Sequence, residues 1–173
     1  AQRGDPPISI GIGIHTGGLM LGTIGGQNRL NASVIGDSVN LASRVEGLTK
    51  LYGARTLVTE GTIDCLPENH GLSFRIVGLV RVKGKNRPTM LYESLDCDPP
   101  ESCAIKKALQ EQFTEARESF CKGNMEAALK GFKFVLSNNP EDKAARLHQT
   151  LCEKMIREGL PRGWDGAYTM ETK

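Results

Sequence analysis

The sequence is poor in aromatic residues, balanced in charge, and free of long apolar runs and of paired cysteine motifs. Aromatics make up 5% of the 173 residues, too few for the stacking platforms that bind single-stranded nucleic acid. Charged residues are 24% and the formal net charge is +2, which removes the electrostatic case for nucleic acid or an anionic membrane surface. The five cysteines (Cys65, Cys97, Cys103, Cys121 and Cys152) are odd in number and show no CxxC spacing. That argues against a disulfide framework or a zinc site and for a reducing compartment. No apolar stretch approaches the roughly 18 residues of a membrane span, and no signal-peptide pattern is visible. The glycines from Gly11 onward do not make a dinucleotide fingerprint, because Thr16 stands where GxGxxG needs glycine, and no Gly-Lys-Ser/Thr follows to make a P-loop. The sequence opens at Ala1 rather than methionine, as expected of a fragment.

What is present begins with a strand. Ile8, Ile10, Ile12 and Ile14 alternate with Ser9, Gly11 and Gly13, giving one bulky face and one bare face that lets something approach the backbone closely. His15-Thr-Gly-Gly18 reads as a turn, with His15 a turn or core residue. Leu19–Gly26 reads as a second strand, antiparallel to the first and bulged at its glycines. The segment from Gln27 to Ser33 reads as a polar excursion. At Asp37 a helix is expected to start, with Asp37 as its N-cap and Leu41, Val45, Leu48 and Tyr52 as a core-facing stripe. Asn40 and Arg44 lie four apart on a different face near the helix N-terminus, where an amide and a guanidinium suit a phosphate. A capping asparagine and a solvated arginine are the plainer alternative. Gly53 stops the helix. Thr56–Thr59 is a short buried strand, Glu60–Leu66 a short helix, Leu72–Val82 a strand bent at Gly78, and Thr89–Leu95 its hairpin partner.

Three of these segments, Ile8–Gly26, Ile35-Gly-Asp-Ser-Val-Asn-Leu-Ala-Ser-Arg44 and Val80-Arg-Val-Lys-Gly-Lys85, closely resemble the class III nucleotidyl cyclases in order and approximate spacing. The resemblance covers residues 8–96 and implies the C-terminal half of a ferredoxin-like α+β catalytic domain. By resemblance, Asn40 orients the ribose and Arg44 stabilises charge in the transition state. Lys83, with Lys85 as fallback, holds the terminal phosphates. Ser33, three before the glycine, reads the purine, its small hydroxyl favouring ATP over GTP. The family's reaction is 3′,5′-cyclisation with release of pyrophosphate, on Mg2+ or Mn2+ held by two aspartates of the upstream half. Asp5 and Asp37 are not those residues, so no metal site is expected in this chain. A second cyclase domain, in a homodimer, is the implied partner, and no nucleic acid or membrane contact is expected from this segment. The implied location is cytoplasmic, with any membrane anchor upstream.

Asp96-Cys-Asp-Pro-Pro100 marks a composition break, dividing a catalytic segment, 1–96, from a helical one, 101–158, and a tail, 159–173. Ala116, Gly123, Ala128, Phe132 and Pro140 fall at tetratricopeptide-like offsets, with Phe120 and Leu129 on the apolar face. A third helix follows over 141–155. One such unit cannot bury its own faces well, so it is expected to pack on the first segment near the last hairpin, on a partner subunit, or on a neighbour outside this sequence. Lys106, Lys107, Arg117 and Lys122 read as a solvated face; the tail Gly163–Met170 resembles the ending that follows such helices in many bacterial cyclases, which implies Trp164 and Tyr168 as its anchors. The rival reading is a catalytically inactive regulatory or interaction module, against which the intact Asn40, Arg44 and Lys83 set argues.

Overall fold

Alternating isoleucine and glycine produce the first strand, β1 (Ile12–Ile14), in the computed structural model, which describes residues 10–26, 29–81 and 87–169. The bare glycine face receives a helix, α1 (Asp37–Tyr52). A Cβ at Gly11 would collide with the Thr49 side chain, and one at Gly13 with the backbone of Ala42 and Glu46. Strand and helix therefore meet backbone to backbone. The isoleucines point the other way and stay open, Ile10 by 72% and Ile12 by 45%.

The second strand, β2 (Met20–Gly26), does not pair with β1. It forms a separate antiparallel ribbon with β3 (Arg29–Ile35), in unbroken register from Met20↔Ile35 to Gly26↔Arg29. The expected hairpin of the first two strands and the polar excursion before the helix are both corrected here. A seven-residue ladder satisfies the backbone of Arg29–Ile35 whatever the polarity of its side chains. Strand β1 instead pairs in parallel with β4 (Thr56–Thr59), every residue of which is buried. A short helix, α2 (Glu60–Ile63), precedes β5 (Phe74–Arg81) and β6 (Thr89–Ser94), which form an antiparallel pair whose register shifts between Ile76 and Gly78. The bend read at Gly78 is this bulge.

Beyond a 3-10 turn at Leu95–Cys97 come α3 (Pro100–Ala108), α4 (Gln110–Cys121), α5 (Met125–Asn138) and α6 (Lys143–Glu158). The chain then returns as β7 (Ala167–Thr169), parallel to β5, so the main sheet runs β1-β4-β6-β5-β7. The helices pack on α1 and the strands that precede them, as their apolar excess demanded. Leu41, Val45, Leu48 and Tyr52 of α1 share one core with Phe113, Phe120, Phe132 and Leu151. Trp164 donates its indole N–H to the Phe120 carbonyl at 3.2 Å. None of the helices described is long and apolar enough to cross a membrane.

A buried set of charges also spans the junction. Arg75 of β5 donates from Nη2 to Glu93 Oε2 and from Nη1 to Asp142 Oδ2, each at 2.6 Å. Lys106 of α3 reaches Glu93 and, at 2.7 Å, Asp98. Lys106 and Arg117 are buried, which corrects their assignment to a solvated face; Lys107 and Lys122 are exposed as expected. Burial alone would raise the Asp142 carboxyl, but the Arg75 guanidinium outweighs it and holds the group below the usual carboxylate range.

His148 sits at the centre of this junction. Its ring stacks on Phe132 with centroids 4.8 Å apart, and its Nε2 lies 2.6 Å from the Val77 carbonyl. Burial pushes its pKa down from 6.5 to about 4. The neutral ring is therefore the form the fold favours. Its contribution is complete above the ordinary value and is lost as pH falls toward the depressed one, on the order of 2–3 kcal/mol across that window. Thermal melts should drop between about pH 6.5 and about pH 4, and His148→Leu should flatten that dependence. An equally steep decline in the variant would assign it to other groups.

Candidate active site

The site is built on the β3–α1 junction. Gly36 lies at the N-cap of α1 in an extended conformation with no side-chain cap. Asp37 is thus the first helical residue and not the cap, as the sequence had suggested. Its acidic side chain still sits favourably in the first turn of the helix dipole. The helix start is held from elsewhere: Ser38 donates its hydroxyl to the Gly18 carbonyl at 2.9 Å, tying it to the turn after β1. His15, at the end of β1, bonds through Nδ1 to Thr59 Oγ1 at 2.8 Å, joining that turn to β4. It braces the scaffold as a turn residue.

Asn40 and Arg44 are both exposed, one turn apart, while Leu41, Val45 and Leu48 beside them are buried. This separation follows from the helical period. Ser33 lies on β3 opposite Gly22 and is half-buried. The structure thus gathers Ser33, Asn40 and Arg44 onto one strand–helix unit around Gly36. Lys83 and Lys85 lie outside the described residues. Arg81, just before them, forms an ion pair with Asp165.

Around this unit spreads an apolar surface. Leu19, Met20 and Leu21 are exposed by 54%, 71% and 76%, and Val34 and Ile35 by nearly half. These side chains form a contiguous apolar surface open to packing. Among the described residues there is no group of three or more His, Cys, Asp or Glu that could hold a metal ion. The described residues do not by themselves fit the two ions of a two-metal reaction.

Sequence reasoning missed the buried charges and His148. One signal existed for the former: Arg75 and Glu93 interrupt two apolar strands at positions that pair across the sheet. Opposite charges at directly paired positions of two neighbouring apolar strands form a cross-strand pair. Nothing in the sequence marks His148, on an amphipathic helix, as a core residue.

A model of the adenylate and guanylate cyclase catalytic domain matches residues 1–93. The chain is 47% identical over 93 residues, 53% of its length, to an adenylate cyclase of Anabaena cylindrica, of which it spans 18%. It is 30% identical over 151 residues, 87% of its length, to the terminal-differentiation specific adenylate cyclase of Dictyostelium discoideum, of which it spans 7%. That second similarity extends past residue 93 into the helices. Among solved structures, the adenylyl cyclase CyaB from P. aeruginosa superposes with a TM-score of 0.37 at 26% identity, covering 49% of this chain and 40% of that one. The chain spans less than a fifth of the curated relatives named here. With more than half of its residues matched by the family model, the protein belongs to the adenylate and guanylate cyclase catalytic domain family.

Proposed function

We infer that this chain supplies one side of a cyclase active site that converts ATP to 3′,5′-cyclic AMP and pyrophosphate. The observation that carries the reading is the presentation of Asn40 and Arg44 to solvent from a helix whose opposite face is locked in the core. In the reaction the ribose 3′-oxygen bonds to the α-phosphorus and loses its proton, while the bond to the pyrophosphate oxygen breaks. Arg44 offers a permanent cation to the charge that grows on the phosphorus oxygens, and Asn40 orients the ribose through its amide. Ser33 lies against the purine edge and favours adenine, with GTP the weaker alternative. Lys83, backed by Lys85, neutralises the terminal phosphates. The Mg2+ or Mn2+ such chemistry uses is held by aspartates of the catalytic half that precedes these residues in the family.

A second cyclase domain, most simply a second copy in a homodimer, covers the exposed apolar face around Leu19–Leu21 and Ile35. Residues 1–96 are the catalytic unit, 101–158 a tetratricopeptide-like segment, and 159–173 a tail that anchors it. Cytoplasmic placement follows for a signalling enzyme with ATP as substrate.

The test is complementation. Incubated alone with ATP and manganese, the 173-residue chain is expected to form no cyclic AMP. Mixed with a family catalytic domain that retains its two metal-binding aspartates but lacks its own arginine, it is expected to restore synthesis. Turnover by the chain alone would overturn the division of labour. A mixture that associates but stays inactive would favour the inactive regulatory module.

A further inference from the structure

The helix that carries Asn40 and Arg44 is seated at its far end by the helical segment. Tyr52, in the last turn of α1, faces His148 of α6 with ring centroids 6.4 Å apart. Its hydroxyl fills the space above the β5 bulge, where a Cβ at Gly78 would lie 2.8 Å from it. Gly53, which ends α1 with a positive φ of 65°, rests against the Lys143 side chain at the start of α6. So α1 is clamped between its own sheet and α6.

The position of α6 is set in turn by charge. Asp142 is its N-cap, accepting the Ala145 amide at 3.0 Å on Oδ1 while Oδ2 takes Arg75 Nη1. Arg75 is held on its other side by Glu93, and its guanidinium lies 4.3 Å above the Phe113 ring. The side chains of Arg75, Glu93 and Asp142 are at most 1% exposed. Buried ion pairs add little stability over apolar packing, but they accept few alternative geometries. A pair that fixes the first turn of α6 on β5 therefore fixes where α1 can lie.

We propose that the helical segment is a positioning device for the active-site helix, with the Arg75–Asp142 pair setting the register of α6 and, through Tyr52, the placement of Asn40 and Arg44. Arg44 lies eight residues before Tyr52, about 12 Å along a rigid helix. A small tilt at the seat moves the guanidinium by a comparable fraction of that length. The proposal rests on the cyclase reading and adds that catalysis depends on residues beyond the catalytic unit. Neither Arg75 nor Asp142 is a catalytic residue; both act through α1.

The test uses the assembled cyclase and the double variant Arg75→Met/Asp142→Asn. Asparagine keeps the cap. Removing one cation and one anion leaves the buried set, now Lys106 with Glu93 and Asp98, at the same net charge. The expected result is a thermal melt close to the parent's, with kcat lower by about tenfold to a hundredfold and KM for ATP within about threefold, as misplacement of a transition-state group predicts. Parent-like kcat, with hydrogen exchange showing α6 loosened, would overturn the proposal. Arg44→Ala is assayed alongside. If it too is parent-like, the cyclase reading itself has failed; if it is inactive while the double variant is fully active, only the positioning role has. Should the double variant not fold, the parent is followed in urea below its global transition. There kcat must fall together with α6 amide protection, and activity that survives the loss of that protection overturns the proposal.

Discussion

Replacing Arg44 by alanine is expected to lower kcat by about 10²–10³ while KM for ATP moves by less than about threefold. The charge on the transferring phosphorus is greatest at the transition state, and an interaction stronger there than in the ground state appears in kcat. The structure makes the experiment clean. Arg44 is exposed, and the adjacent Leu41, Val45 and Leu48 hold α1 without it. Losing an exposed side chain together with its surface contacts usually changes stability by about 1 kcal/mol or less, small beside the expected loss of kcat. Steady-state kinetics in the complemented cyclase, with the melt measured on the same preparation, separate the two effects. A variant within about threefold of the parent in kcat would return Arg44 to the status of a solvated helix residue.

The largest effect on stability is expected from Phe132→Asp. Phe132 is fully buried, stacked on His148 and set edge-on to Phe113 with centroids 5.6 Å apart. Aspartate there loses a packed ring, about 3–5 kcal/mol by truncation alone, and adds a carboxylate to a site lined by aromatic rings. Total stabilities are about 5–15 kcal/mol, so most of the molecules should unfold at moderate temperature. The melt is best taken above the histidine range, where His148 cannot protonate to pair with the new carboxylate. A melt equal to the parent's would mean that the helices are a loosely tethered arm, contrary to the shared core.

The periodic parts of the fold were legible. The stripe from Leu41 to Tyr52 and the buried Thr56–Thr59 strand stand where spacing put them, the bulge where Gly78 put it, and Trp164 anchors the tail as the resemblance implied. What failed was partner choice. Periodicity states that Ile12–Ile14 is a strand but says nothing of whether its neighbour is β2 or β4, which lie close and far in sequence. Composition misled at Arg29–Ile35, where polar side chains hid a strand held by backbone pairing. It misled again at Lys106 and Arg117, because a cation on a helix looks the same whether it meets water or, as Lys106 does, a buried carboxylate. The pattern that puts Asn40 and Arg44 forward as site residues could be read because it lies within ten residues, Ile35 to Arg44. The clamp on their helix was not, since Arg75, Asp142 and His148 are far apart in the sequence and each is common alone.

Strand β7 has a consequence for how this protein behaves outside its native state. It closes the β5 side of the main sheet with only three residues, and they come from a tail that must first pass through four helices. Until those helices have packed, β5 offers a row of unpaired amides and carbonyls along an apolar strand. An open edge of that kind templates pairing with other chains. Loosening the helices thus uncovers a self-association surface, and folding intermediates of this protein are expected to be lost to aggregation more readily than its native form.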